Sequence, residues 1–229
     1  GYRGRIQTSI TISVAPLNET VELARLRADQ GFRILKIKGG LHPEEDVRRV
    51  RAIHDALPRF TLRLDADQGY TVEQALDVAR ALEGKLEMLE QPTAADDLDA
   101  LHQVTRMSPV PILADESVLH PSSALEVAQR RAANGMSVKL TACGGLRCAR
   151  QIDTIARTAH MATMVSCVHE PALLTAAGLS FALSSPNVKY GDLDGHLDLI
   201  GDPTVPGFRL EEGWLIATDV PGLGCTVDL

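Results

Sequence analysis

Ile34-Leu35-Lys36-Ile37-Lys38-Gly39-Gly40 is a run of strand length that is apolar at its start and ends in a lysine followed by two glycines. The pattern recurs at T-L-R-L-D (residues 61–65), L-E-M-L-E (86–90), I-L-A-D (112–115), M-S-V-K-L (136–140) and M-V-S-C (164–167). Each run delivers an ionisable residue at or near its end: Lys38, Asp65, Glu90, Asp115, Lys139 and Cys167, always 24 to 28 residues apart. That interval is close to the length of one strand-plus-helix unit.

Working outward, strands are expected at Ile6–Val14, Ile34–Lys38, Thr61–Asp65, Leu86–Glu90, Ile112–Asp115, Ser137–Leu140, Ala162–Cys167 and near Val188–Tyr190. The stretches between them carry helical periodicity at Glu19–Gln30, Pro43–Leu57, Val72–Leu82, Leu98–Thr105, Pro121–Ala133, Leu146–Thr158 and Pro171–Ser184. Asn18, Thr71, Pro43 and Pro121 suit helix starts, and Gly31, Gly84 and Gly135 suit helix stops. The strands read as continuous rather than alternating apolar runs, so both faces are expected to be covered, as in a parallel α/β barrel. An open doubly wound sheet is the competing architecture. In a barrel the strand C-termini share one rim, and the six ionisable residues become one site.

The 229 residues are 45% hydrophobic and 23% charged, in line with a single globular domain. A net charge of −7 disfavours a nucleic-acid surface, which needs clustered cations. No apolar stretch reaches the ~20 residues of a membrane span and no leader opens the chain, so a cytoplasmic protein acting on a small molecule, with neither membrane nor nucleic-acid partner, is expected. Cys143, Cys148, Cys167 and Cys225 form no C-x-x-C pair and are expected as free thiols. The chain opens at Gly1 and runs almost at once into an apolar segment, which leads us to expect that something N-terminal is missing.

Asp65, Glu90 and Asp115 would offer a hard oxygen donor set suited to Mg²⁺ or Mn²⁺. Any one of them alone reads more readily as a helix cap or surface ion pair; it is the three at matching strand exits that point to a metal. Lys38 and Lys139 flank the three carboxylates and would face each other across the barrel mouth. Lys36, two residues before Lys38 on the same strand face, is expected to weaken the hold of Lys38 on its proton and make it a base. A cation bound to a substrate carboxylate would stabilise the enediolate formed when the adjacent C–H is deprotonated. With a base on each side, the proton leaves one face and returns to the other, giving racemisation or epimerisation.

The motifs K-I-K (36–38), L-D-A-D-Q-G (64–69), L-E-Q-P (89–92), A-D-E-S (114–117), V-K-L-x-x-C-G-G-L (138–146) and P-G-L-G (221–224) together resemble the enolase superfamily in its muconate-lactonising-enzyme-like branch. The resemblance implies an α/β fold, a modified TIM barrel of the (β/α)7β type, spanning 1–229, with the usual N-terminal α+β capping domain absent. It implies Mg²⁺ on Asp65, Glu90 and Asp115, Lys38 and Lys139 as the acid/base pair, Lys36 against the substrate carboxylate, and Glu116 as an orienting neighbour. Y-G-D-L-D-G (190–195) is similar to the segment with which dipeptide epimerases of the L-Ala-D/L-Glu type hold the substrate ammonium, through Asp192 and Asp194; a plain Asp/Gly turn is the alternative. Thr11, Cys167 and His169 match further substrate-contact positions, although His169 reads equally as a loop histidine. Asp67 stands where Asn is usual, and Ala142 where many relatives carry a second basic residue.

The expected function is therefore a Mg²⁺-dependent dipeptide epimerase inverting the α-carbon of the C-terminal residue by two-base 1,1-proton transfer, an isomerase working with a capping domain and as a homo-oligomer. Alternatives are an N-acylamino acid racemase, an o-succinylbenzoate synthase, a muconate-type cycloisomerase, or a capless metal-binding barrel with impaired catalysis. A lyase using Lys139 as a Schiff base leaves the carboxylates without a role.

Overall fold

The computed structural model describes residues 1–228, so of the expected 1–229 domain only Leu229 lies outside the described residues. Its centre is an eight-stranded, all-parallel sheet in strict sequence order. The strands are β2 (Ile10–Ile12), β3 (Ile34–Lys38), β4 (Thr61–Asp65), β5 (Met88–Glu90), β6 (Ile112–Ala114), β7 (Gly135–Lys139), β8 (Ala162–Ser166) and β9 (Val188–Asp192). One parallel bridge, Thr8 to Gly191, brings the first and last strands together. The result is the expected α/β barrel, and the open doubly wound sheet is set aside.

Between the strands run α1 (Leu17–Asp29), α2 (Pro43–Ala56), α3 (Val72–Ala81), α4 (Leu98–Met107), α5 (Pro121–Arg130), α6 (Leu140–Cys143), α7 (Leu146–Thr158) and α8 (Ala172–Ser184). The short α6 is an addition to the seven expected helices; it takes Leu140 out of the preceding strand. Thr71 caps α3 in a reciprocal box with Gln74, and prolines open α2 and α5 as expected. Asn18 does not cap α1: the helix begins at Leu17, after Pro16. Gly31 and Gly84 adopt positive φ, but Gly135 begins β7, and α5 stops instead on Arg131 in the left-handed conformation.

The expected strand Ile6–Val14 is two strands. Its first part, β1 (Arg5–Gln7), leaves the barrel to pair antiparallel with β12 (Trp214–Ala217), which pairs in turn with β11 (Phe208–Glu211). A further pair joins β10 (Thr204–Val205) to β13 (Thr226–Val227). These strands are short and lie in a tail without a repeating unit, so periodicity did not announce them.

The inner face of the barrel also departs from expectation. Residues alternate between faces along a strand, and Leu35, Ile37, Leu62, Leu64, Leu89 and Ile112 pack outward in the core shared with the helices. Inward positions are largely polar: Lys36, Lys38, Arg63, Asp65, Glu90, Ser137 and Lys139. The interior keeps a small apolar plug of Met88, Leu113 and Met164, with Tyr190 against it. The strands are thus buried on both faces yet alternate in chemistry. Among the described residues all four cysteines are free, and no helix is long and apolar enough to cross a membrane.

Candidate active site

Strand register gathers the expected residues. Lys38 lies opposite Asp65 and Asp65 opposite Glu90, on three adjacent strands. Lys139, Ser166 and Asp192 are aligned in the same way on β7, β8 and β9. Lys38, Lys139, Thr11, Lys36, Cys167, His169, Asp192 and Asp194 all line one cavity of about 350 Å³ at the C-terminal rim. Beneath its mouth, one ligand atom each from the buried Asp65, Glu90 and Asp115 lie within 4.8 Å of one another.

The triad could hold a metal ion. Both Glu90 carboxylate oxygens are buried without a hydrogen-bond partner among the described residues. Lys36 Nζ approaches Glu90 Oε2 to 2.9 Å, a Coulombic contact whose geometry leaves that oxygen unsatisfied. Burial pushes Glu90 up to about 8; Lys36 opposes that rise, while Asp65, Asp115 and Asp192 reinforce it. Asp65 goes the other way, because Lys36 and Lys38 together outweigh the effect of burial and hold it well below the usual carboxylate range. Three crowded oxygen donors, one of them orphaned, fit a hard divalent ion such as Mg²⁺.

Lys36 is the deepest of the lysines, with Nζ 2.8 Å from Asp192 Oδ2 and 2.9 Å from Asp65 Oδ2. Lys38 Nζ reaches Asp65 Oδ2 at 2.8 Å and takes both oxygens of Asp67, at 2.8 and 2.9 Å. On the other side of the triad, Lys139 Nζ is bonded to Asp115 Oδ2 and lies 4.0 Å from Glu116 Oε1. The expectation that Lys36 would loosen the hold of Lys38 on its proton is corrected here. Burial and Lys36 do act in that direction, but Asp65 and Asp67 outweigh them and hold Lys38 above the ordinary lysine range. Lys139 is raised too: burial opposes its charge and Asp115 prevails.

At the other end of the cavity, Asp194 Oδ2 accepts from the Thr11 backbone N–H at 2.7 Å, and Cys167 Sγ approaches its Oδ1 at 3.5 Å. Asp192 is more tightly engaged, since Oδ1 accepts from Ser9 Oγ at 2.5 Å while Oδ2 holds Lys36. Burial and then Asp192 raise the Asp194 carboxyl, whereas Lys36 lowers that of Asp192 despite its burial. The Cys167 thiol is pushed up by burial and by Asp192 and Asp194, so it lies against the site as a neutral group.

Several contributors went unread in the sequence. Gln91, at φ +33, accepts from the backbone N–H groups of Asp115 and Ser117 at 2.8 and 3.2 Å, tying the Asp115 loop to β5. The L-E-Q-P motif contained it, but its side-chain bonds are long-range. Asp46 joins the Gly40 N–H at 2.8 Å to the Tyr70 hydroxyl at 2.5 Å, locking the turn after Lys38. Gly40 adopts φ +95, and a Cβ there would lie 2.0 Å from the Ala66 carbonyl oxygen. Ser9 and Arg63 support Asp192 from below; mid-strand polarity was their one signal.

An α/β barrel with acid donors and opposed amines on its C-terminal rim defines the class of barrels that combine a metal site with acid–base groups. The chain belongs to the family described as enolase C-terminal domain-like, which matches residues 19–229. It is 40% identical over 222 residues to the L-Lys-D/L-Arg epimerase of Methylococcus capsulatus, a match covering 96% of this chain and 62% of that protein. The substrate-liganded L-Ala-D/L-Glu epimerase of Bacillus subtilis superposes with a TM-score of 0.97 at 34% identity, covering 100% of this chain and 66% of that one. The M. capsulatus dipeptide epimerase complexed with Mg and L-Arg-D-Lys gives a TM-score of 0.92 at 38% identity, covering 98% and 64%. The chain thus spans slightly less than two thirds of the length of these relatives.

Proposed function

We propose that this barrel belongs to a Mg²⁺-dependent dipeptide epimerase that inverts the α-carbon of the C-terminal residue. The observation that carries the reading is that Lys38 bonds Asp65 at one side of the Asp65–Glu90–Asp115 triad and Lys139 bonds Asp115 at the other, while both lysines line one cavity. Asp65, Glu90 and Asp115 would hold the ion; when bound it supplies electrostatic stabilisation of the negative charge that develops on the substrate carboxylate. Mn²⁺ has the same donor preference and would serve in its place.

Lys38 and Lys139 exchange the α-proton from opposite faces, one accepting it and the other returning one. Only a neutral amine can accept, so the ion pairs to Asp65, Asp67 and Asp115 must loosen at one lysine at a time. Lys36 adds fixed positive charge beneath the reacting carboxylate. Asp194, with Asp192 behind it, receives the substrate's α-ammonium, an interaction that an N-acylated substrate cannot make. Thr11, Cys167 and His169 border that end of the cavity and bear on the choice of side chain. A capping domain over the mouth, a homo-oligomeric assembly and a cytoplasmic location belong to the same proposal.

The test is proton exchange in D₂O. With Mg²⁺, the protein should exchange the C-terminal α-proton of members of a dipeptide library, and Asp194→Asn should reduce this sharply. Absence of exchange with every dipeptide, alongside turnover of N-acylamino acids, would replace the reading with a racemase of acylated substrates.

A further inference from the structure

Among the described residues, seven of the eight barrel seams are backbone ladders of two to five aligned residue pairs, but the closing seam has one bridge, from Thr8, just before β2, to Gly191 of β9. Side chains complete it. Thr8 Oγ1 accepts from the Leu193 N–H at 2.7 Å, Asp194 Oδ2 from the Thr11 N–H at 2.7 Å, and Asp192 Oδ1 from Ser9 Oγ at 2.5 Å. Both carboxylates assigned to the ammonium therefore lie on the one seam that backbone pairing leaves weak.

Arg63 anchors this seam from β4. This residue is 1% exposed, and its side chain crosses the barrel interior, donating Nη1 to the Gly191 carbonyl at 2.9 Å and to Ser9 Oγ at 3.3 Å. Its Nε is held by Glu87 Oε2 at 2.7 Å, and the guanidinium lies 5.3 Å from the Tyr190 ring centroid. A guanidinium only donates, so the Ser9 hydroxyl accepts from it and has its single proton left for an oxygen. Asp192 Oδ1 at 2.5 Å is a better acceptor than the Gly191 carbonyl at 3.3 Å. Asp192 is thereby fixed at both oxygens, by Ser9 on one and by Lys36 on the other.

We infer that Ser9 and Arg63 are positioning residues for the ammonium subsite, acting through the orientation of Asp192. The inference rests on the dipeptide reading for its effect on substrate, though not for the effect on Asp192 itself. A hydrogen bond between the substrate ammonium and a charged acceptor is worth enough that an Asp192 left free to turn away weakens binding about tenfold.

The experiment compares Mg²⁺-loaded wild type and Ser9→Ala by calorimetric titration with a dipeptide and with its N-acetyl derivative, alongside steady-state kinetics and a crystal structure of the variant. The dipeptide should bind Ser9→Ala about tenfold more weakly, with KM rising more than kcat falls. Acetylation should cost the wild type far more than it costs the variant, and Ser9→Thr, which keeps the hydroxyl, should restore the difference. Equal dipeptide affinity in wild type and variant, or acetylation costs that are the same in both, would overturn the inference. Should the wild type bind no dipeptide, the functional reading falls, while the crystal structure still decides the positioning: Asp192 turned away from Lys36 supports it, and Asp192 unmoved overturns it. Arg63→Lys, which keeps the charge and loses the reach to Gly191, should show the same shift in Asp192 in milder form.

Discussion

Glu90→Gln isolates the electrostatic conflict at the base of the site. Glu90 sits fully buried with Asp65, Asp115 and Asp192 around it, and its carboxyl is pushed up to about 8, first by burial. In the unfolded chain the same group titrates near 4.3, so between roughly pH 4.3 and 8 the folded state binds the proton that the unfolded state has lost. Its contribution is therefore fully present below about pH 4 and is lost as pH rises towards 8. At about 1.4 kcal/mol per pH unit, the metal-free protein should lose on the order of 3 to 4 kcal/mol between about pH 5 and pH 8 from this group alone. Asp65 and Asp192, held low by Lys36, contribute with the opposite sign, but they titrate in acid, outside this window. Glutamine mimics the protonated carboxyl and should flatten the pH dependence. Urea unfolding in chelator at both pH values measures it, and repetition with Mg²⁺ should stabilise the wild type much more than the variant, which offers the ion one carboxylate fewer. A variant that loses as much stability as the wild type on alkalinisation, or gains as much from Mg²⁺, would refute the reasoning.

The remaining predictions concern the two lysines and the turn beside them. Lys38→Ala and Lys139→Ala should each lower kcat by about 10²- to 10⁴-fold and abolish exchange of one substrate epimer, a different one for each variant. Deuterium incorporation followed by NMR decides this, and loss of exchange with the same epimer in both would end the two-base assignment. Asp67→Asn removes a bidentate partner that, after Asp65, holds Lys38 above the ordinary lysine range, so the rise of kcat/KM with pH should move to lower pH; movement in the other direction would sink it. Gly40→Ala forces a side chain into a left-handed turn and onto the Ala66 carbonyl, and should cost about 2 kcal/mol or more in urea unfolding; wild-type stability would contradict the close approach.

The barrel and its ring of ionisable groups were legible because both follow from strand period and strand ends. I-L-K-I-K and T-L-R-L-D place their charges where a parallel strand meets the rim, and repetition makes the register. The β1–β12–β11 sheet was hidden because Ile6–Val14 is one apolar run that serves two sheets, with the change of sheet falling at Thr8–Ser9. Side-chain rotamers were hidden as well. Sequence places Lys36 beside Lys38, yet which carboxylates enclose each ammonium depends on contacts such as Lys36 to Asp192, 156 residues away. Lys36 and Arg63 in mid-strand were the overlooked sign that the barrel's inner face is polar.

That polarity separates what holds the fold from what equips it. The outward rows of β3, β4, β5 and β6, from Leu35 to Ile112, pack in one continuous core with Val50, Ile53, Leu76 and Val104 of the surrounding helices. This layer provides the hydrophobic stabilisation. The inward rows make almost none of it beyond Met88, Leu113 and Met164, and a lysine or carboxylate there costs desolvation that only its neighbours offset. A charged interior of this kind is retained against its energetic cost when the charges have work to do, and its members are coupled: remove Lys36 and the carboxylates around it repel, remove Asp192 and Lys36 keeps only Asp65 and Glu90. Neutral replacements made in oppositely charged pairs, such as Lys36→Met with Asp192→Leu, should therefore be much less destabilising than either alone, while exchange activity is lost in all three. A double variant as unstable as the sum of its parts would show that the interior charges, rather than the outer layer, hold the barrel closed.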